Sequence, residues 1–259
     1  MSNSPIGIFD SGVGGTSIWK EIHQLLPHED TVYLADSQNA PYGPKGKERI
    51  TELSIKNTEL LLKKGCKLIV VACNTATTNS IQYLRENYNV PFIGIEPAIK
   101  PAALQTKSNT IGILATIGTL SSELFHKTSD LYANGVKIIE QVGEGLVPLI
   151  ENGQIESPEM DKLLEKYLQP MLAAEIDYLV LGCSHYPYLI PKLKTFLPKH
   201  IQIIDSGIAV ARQTEAVLNQ YELLNTSQEL GTCTFYSNGN IDILNDIIQY
   251  EFPATKLKF

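Results

Sequence analysis

Short apolar runs alternate along this chain with longer stretches in which apolar residues return every three or four positions. Residues 6–9 (IGIF) form the first run, which ends at Asp10-Ser11-Gly12. Beyond it, Ile18, Ile22, Leu25 and Leu26 share the spacing of one helix face. Thr31–Ala35 reads as the next strand, and Pro41, Gly43, Pro44 and Gly46 mark a loop. Ile50, Leu53, Leu60 and Leu61 fit a helix, with Gly65 placed to end it. Residues 67–72 (KLIVVA) have the near-uniform apolar character of a strand buried on both faces. The same beat predicts helices near 77–87, 119–133, 158–174, 208–221 and 241–250. It predicts strands near 90–95, 110–115, 136–142, 177–182, 201–205 and 232–237. Ser157 before Pro158 is a helix start, a capping hydroxyl followed by proline in the first turn. Such alternation predicts an α/β fold with mostly parallel sheets, and a ligand site outside the carboxyl ends of the strands.

The pattern also repeats on a longer scale. IGIFDSGVGGTS (6–17) aligns with IGILATIGTLSS (111–122), and GCKLIVVACN (65–74) with EIDYLVLGCS (175–184), at offsets of 105 and 110 residues. Each half therefore runs strand, small-residue loop and helix, and later a buried strand ending in small residue, Cys, polar residue. Two related α/β domains are expected, with Cys73 and Cys183 at equivalent strand ends, facing each other across the cleft between them. A cysteine at a strand end can be a small buried hydrophobe. One that precedes polar residues opening a helix stands where the helix N-terminus stabilises a thiolate. Cys66, at the start of its strand, and Cys233, inside TCTFY, read as structural.

Composition narrows the picture. Apolar residues make up 43% of the 259, enough for a substantial core, and the formal net charge of −7 argues against general nucleic-acid binding. No apolar run approaches the ~20 residues of a membrane span, and MSNSPIGIFD lacks the features of a secretory signal. With four cysteines in a chain of this length, a reduced, cytoplasmic protein is expected. Cys73, Cys183 and His185 could supply three zinc ligands, but no fourth lies at metal-site spacing, so no metal is expected. The loop from Asp10 to Gly15 lacks the third glycine of a dinucleotide fingerprint, since residue 17 is Ser17, and no P-loop occurs. Its glycines instead suit a small anion at a helix start. Asp10 could orient an ammonium, assist a base or cap the helix. Pro41-Tyr42-Gly43-Pro44 is a rigid turn whose hydroxyl is equally consistent with use or with none. The hydroxyls of Thr116 and Thr119 could bind a carboxylate or cap a helix. His185 could relay a proton or simply be packed. Glu151 closes a short helix, and nothing in the sequence prefers it to other glutamates.

GIFDSGVGG, ADSQNAPYG, VVACNTAT and LGCSHYPYL, in this order, together resemble the glutamate racemases of the cofactor-independent aspartate/glutamate racemase family. The resemblance runs through the whole chain, including DSGIAVARQT near residue 205. It implies that free glutamate is bound between two α/β domains without pyridoxal phosphate or metal. One cysteine removes the α-proton from one face, and the other returns a proton to the opposite face. Carried over by motif, Cys73 and Cys183 are the two bases, assisted by Asp10 and His185 respectively, and Glu151 matches a glutamate near the substrate ammonium or the second cysteine. Asp10, Ser11, Pro41, Tyr42, Gly43, Asn74, Thr75, Ser184 and His185 fall in the substrate-binding positions, with Thr116 and Thr119 in the same shell. Ser184 departs from the usual Thr of the family: it keeps the hydroxyl and loses a methyl. The resemblance also implies a discontinuous first domain (1–96 plus 208–259), a second domain over 97–207, and hinge crossings at Glu96-Pro97 and Asp205-Ser206-Gly207. A cytoplasmic homodimer supplying D-glutamate for peptidoglycan follows, with neither nucleic acid nor membrane as partner. Aspartate racemase, a thiol hydrolase or transferase using Cys183 and His185, and a non-catalytic interaction protein (for example one that binds gyrase) are the competing readings. The hydrolase reading leaves Cys73 without a role.

Overall fold

The computed structural model describes residues 3–133, 135–249 and 251–259. The predicted helix end at Tyr250 lies outside the described residues. The first stretch runs β1 (Ile6–Asp10), α1 (Thr16–Leu25), β2 (Thr31–Ala35), α2 (Lys47–Lys63), β3 (Leu68–Val71), α3 (Asn74–Asn87) and β4 (Phe92–Gly94). The middle runs α4 (Ile99–Gln105), β5 (Thr110–Ala115), α5 (Ile117–Leu120), α6 (Glu123–Tyr132), β6 (Lys137–Val142), α7 (Leu146–Glu151), α8 (Pro158–Ala173), β7 (Tyr178–Gly182), α9 (Ile190–Phe196) and β8 (Gln202–Ile204). The chain then returns through α10 (Gly207–Gln220), β9 (Cys233–Ser237), α11 (Ile241–Ile247) and β10 (Thr255–Lys256).

The sequence repeat reappears as topology. One sheet has the order β10-β9-β2-β1-β3-β4 and the other β6-β5-β7-β8, so the motif 2-1-3-4 recurs as 6-5-7-8. Every strand pairing is parallel. This is the expected α/β fold with parallel sheets. In each sheet the winding reverses beside the first strand of its repeat, which opens a crevice at the carboxyl ends of β1 and β3, and of β5 and β7.

Side-chain alternation explains why the central strands are apolar throughout. Ile6, Ile8, Leu68 and Val70 face α1 and α10, packing with Ile18, Trp19, Ile22, Val210 and Leu218. Phe9, Ile69 and Val71 point the other way, onto Ile50, Leu53, Leu61 and Leu84. The second sheet repeats the division, with Leu179 and Leu181 on the face of Leu164 and Met171 and with Ile111, Ile113 and Val180 on that of Phe125. Each such fully buried side chain is worth about 1.5–3 kcal/mol against exposure. The core that holds Ile6 also holds Leu179, so it runs without a break between the two sheets. At Gly7 a Cβ would lie 3.0 Å from that of Cys66, whose thiol is pushed up to about 12 by burial. Cys66 is a packing residue, as its place at the strand start suggests.

Several boundaries differ from the sequence expectation. The helix expected at 119–133 is two, α5 and α6, because Ser122 accepts a hydrogen bond from Phe125 N (3.3 Å) and starts a new helix there. The helix expected at 77 begins at Asn74, because the Cys73 sulfur acts as its cap. The short α4 and α9 carry too few turns to declare a period. Gly65 does end α2 at φ +79, and Ser157 caps α8 by accepting from Met160 N (3.2 Å).

Candidate active site

Four chain segments meet between the sheets, each leaving the carboxyl end of β1, β3, β5 or β7. They carry Asp10-Ser11, Cys73-Asn74-Thr75, Thr116 and Cys183-Ser184-His185. Geometry alone brings the repeated elements of the two halves together.

Cys73 has neutral hydrogen-bond partners. Its sulfur accepts from Ala76 N at 3.4 Å and lies 3.6 Å from Ser11 Oγ. Burial pushes the thiol up well beyond its ordinary 9.0, and the negative charge of Asp10 adds to this. The Ala76 N–H pulls the other way and is outweighed. Asp10 is fully buried, and both of its oxygens are taken: Oδ2 by Gly12 N (3.1 Å) and Gly15 N (3.0 Å), and Oδ1 by Ser184 Oγ (3.0 Å). Asp10 therefore both holds the glycine loop and reaches across to the second repeat. Burial raises its carboxyl above 3.8, against the opposing pull of His185.

Cys183 lies among charges. No α-helix starts directly behind it: a 3-10 turn over Tyr186–Leu189 follows His185. His185 Nδ1 is 3.8 Å from the Cys183 sulfur, and Nε2 is 2.6 Å from Glu151 Oε1. Gly14 N also points at Nε2, at 3.2 Å. A nitrogen cannot donate and accept through one position, and the short charge-assisted contact decides. Nε2 carries the proton and donates to Glu151. Burial works against a charged imidazole, but the hydrogen bonds with Cys183 and Glu151 and the charge of Asp10 outweigh it and hold His185 well above 6.5. Glu151 Oε1 also accepts from Val13 N (2.7 Å). The glycines allow this approach, since a Cβ at Gly12 would lie 1.9 Å from Glu151 Oε1 and one at Gly14 2.2 Å from His185 Nδ1.

Both cysteines line one cavity, together with Ser11, Pro41, Tyr42, Gly43, Asn74, Thr75, Thr116, Ser184 and His185. Asn74 is buried with both side-chain polar atoms unpaired. Asp10 and Glu151 stand behind this lining, linked to it through Ser184 and His185. Thr119 lies behind Thr75 and Thr116, whose hydroxyls are 2.7 Å apart. Thr116 also caps α5, accepting from Thr119 N at 3.3 Å. Tyr42 OH donates to Asp36 (2.5 Å), away from the sulfurs. Cys66 and Cys233 are outside this cavity, and the Cys233 sulfur lies 3.6 Å from His23 Nδ1. Sequence reasoning missed Val147, which also lines the cavity. It is four residues before Glu151 on α7, so one helix face presents both. Tyr33, by pattern only a strand residue, donates its hydroxyl to Gly12 O at 2.8 Å. The cavity volume is ≈ 10 Å³, room for about one water.

A duplicated parallel α/β unit, with its strand ends turned onto two thiols, defines the class: a two-unit α/β enzyme. The family model for Asp/Glu/hydantoin racemase matches residues 6–214. A glutamate racemase of Ectopseudomonas mendocina is 46% identical, over 96% of this chain and 94% of its own. The crystal structure of a glutamate racemase isoform from Bacillus anthracis superposes with TM-score 0.88 at 28% identity, covering 100% of this chain and 99% of that one. The Escherichia coli glutamate racemase in complex with L-glutamate and the activator UDP-MurNAc-ala matches with TM-score 0.86 at 33% identity over 97% of each chain. The chain belongs to the Asp/Glu/hydantoin racemase family, and is thus an amino-acid racemase, an isomerase. No helix among the described residues is long and apolar enough to cross a membrane.

Proposed function

We propose that this protein interconverts L- and D-glutamate by two-base proton transfer without a cofactor, with Cys73 and Cys183 as the bases. The observation that carries the reading is the placement of both thiols, from equivalent strand ends, on one small cavity. Inverting a carbon needs a proton removed on one face and another delivered on the opposite face. In the present arrangement Cys73 is held as the thiol, the donor form. The charged His185 stands by Cys183 and balances a thiolate there. Cys183 then takes the α-proton through its sulfur lone pair and the Cα–H electrons pass into the carboxylate; they return to Cα as Cys73 gives its S–H proton to the other face, which leaves Cys183 as the thiol and Cys73 as the thiolate. The opposite enantiomer uses the same groups in exchanged roles. The unpaired amide of Asn74 and the hydroxyls of Ser11, Thr75, Thr116 and Ser184 supply polar partners for the substrate carboxylates, and donors aimed at the developing charge lower the barrier. Support for glutamate comes from the curated relatives and from the E. coli structure with L-glutamate.

The same reading makes 1–96 plus 208–259 one domain and 97–207 the other. The Ser206 hydroxyl donates to the Glu96 carbonyl, so the two crossings lie side by side. The reading also includes a cytoplasmic homodimer that makes D-glutamate for peptidoglycan. The test is proton NMR of L-glutamate in deuterated buffer with no added cofactor, alongside optical rotation. Loss of the α-proton with decay of rotation is expected. If both signals persist, or if aspartate turns over in preference to glutamate, the assignment fails.

A further inference from the structure

The cavity that holds the two thiols has room for about one water, and glutamate has ten non-hydrogen atoms. The walls must part before substrate enters, and the contacts around the cavity show where. They form two seams between the repeats. One joins the glycine loop and α1 to residues 183–188 and α7: Ser184 Oγ to Asp10 (3.0 Å), Val13 N to Glu151 (2.7 Å), Ser17 Oγ to the Ser184 carbonyl (2.8 Å) and Thr16 Oγ1 to Tyr188 OH (2.5 Å). Two of these four bonds end on carboxylates, and charge-assisted bonds are roughly twice as strong as neutral ones. The other seam joins α3 to α5 by neutral bonds alone. Thr75 Oγ1 meets Thr116 Oγ1 (2.7 Å) and Thr119 Oγ1 (3.3 Å), and Asn79 Nδ2 donates to the Gly118 carbonyl (3.0 Å).

The second seam also opens onto a place where a ligand can wait. Gly43 lines both the thiol cavity and a cleft of ≈ 820 Å³ on its outer side. Asn79 and Gly118 border that cleft, and its lining carries four cations, Lys45 and Lys47 among them, against three carboxylates. The partition is thin and tight, because a Cβ at Gly118 would lie 2.8 Å from Gly43 O and 2.8 Å from Thr75 Cγ2. The small net positive charge of this lining draws an anionic dicarboxylate weakly.

We propose that the cleft bounded by Gly43, Lys45, Asn79 and Gly118 is the entrance for the dicarboxylate substrate, and that Asn79 is a positioning residue that latches the α3–α5 seam. The substrate class rests on the glutamate reading above; the order in which the seams open does not. The seam carrying His185 and Glu151 stays shut, so the groups around Cys183 keep their geometry while substrate passes.

Hydrogen–deuterium exchange on the full chain, with and without D-glutamate, tests this. In the free protein, amides of 116–121 exchange faster than those of 183–188, and saturating D-glutamate slows 116–121 the more. Asn79→Ala speeds exchange at 116–121 and raises KM by about threefold to tenfold, the loss of one neutral hydrogen bond, with kcat within about twofold. Asn79→Ser, which keeps a donor, recovers part of the KM. Faster exchange at 183–188 in the free protein, or a fall in kcat with KM unchanged, overturns the proposal. If glutamate neither protects nor turns over, the substrate reading falls, and exchange of the free protein still decides which seam opens.

Discussion

The two thiols occupy equivalent positions in a duplicated fold, yet their surroundings have diverged. Cys73 caps α3, and its hydrogen-bond partners are a hydroxyl and a backbone N–H. Cys183 precedes a 3-10 turn and faces a charged His185 braced by Glu151. The repeat offers one way to favour a thiolate, the helix N-terminus, and the first half keeps it. The second half has a 3-10 turn in place of the helix start, and an ion pair beside the sulfur. The two halves thus place their sulfurs at equivalent strand ends and surround each with different groups.

Removing the sulfurs breaks the comparison most directly. Cys73→Ala and Cys183→Ala should each lower racemisation by about 10²–10⁴-fold, the usual range for a lost acid or base. Full turnover in either variant, followed by optical rotation, would end the two-base reading. Glu151→Gln sharpens the difference between the pockets. It should cost about tenfold or more in turnover and bring the His185 titration down toward 6.5, readable by NMR. Ser11→Ala, the matching cut at Cys73, should cost only a few-fold.

His185 also couples the second pocket to pH. Its folded value is raised above the unfolded 6.5, so its contribution to stability is complete below about pH 6.5 and disappears as pH rises through the folded value. Denaturant midpoints across this window should fall with rising pH in the wild type and less so in Glu151→Gln. Gly14→Ala forces a Cβ to 2.2 Å from the imidazole and should cost about 1–3 kcal/mol in thermal or urea unfolding. Cys66→Ala should have the smallest effect on activity: turnover unchanged, with about 1–2 kcal/mol of stability lost.

Much of this was legible in the sequence, for identifiable reasons. A strand buried on both faces has nowhere to hide a polar residue, so β3 and β5 announced themselves. The repeat located both sulfurs, because equal positions in equal units must meet when the units face one another. The α3 start was obscured because sulfur is a rare cap, and the break between α5 and α6 because Ser122 is also tolerable inside a helix. Glu151 could not be singled out by pattern. Its importance comes from Gly12, Val13 and His185 folding onto it, and contacts over such separations leave no local periodicity. The resemblance paired Asp10 with Cys73. Its hydrogen-bond partners are Ser184 and the N–H groups of Gly12 and Gly15, which no spacing rule foretells.

The unbroken core from Ile6 to Leu179 has a further consequence. A protein built of two independent copies of one unit would come apart in two stages, each copy melting at its own temperature. Here the copies have merged their interiors, and neither could leave without uncovering the other's leucines and isoleucines. Ancestry gave two modules, but a calorimeter should record one peak of heat.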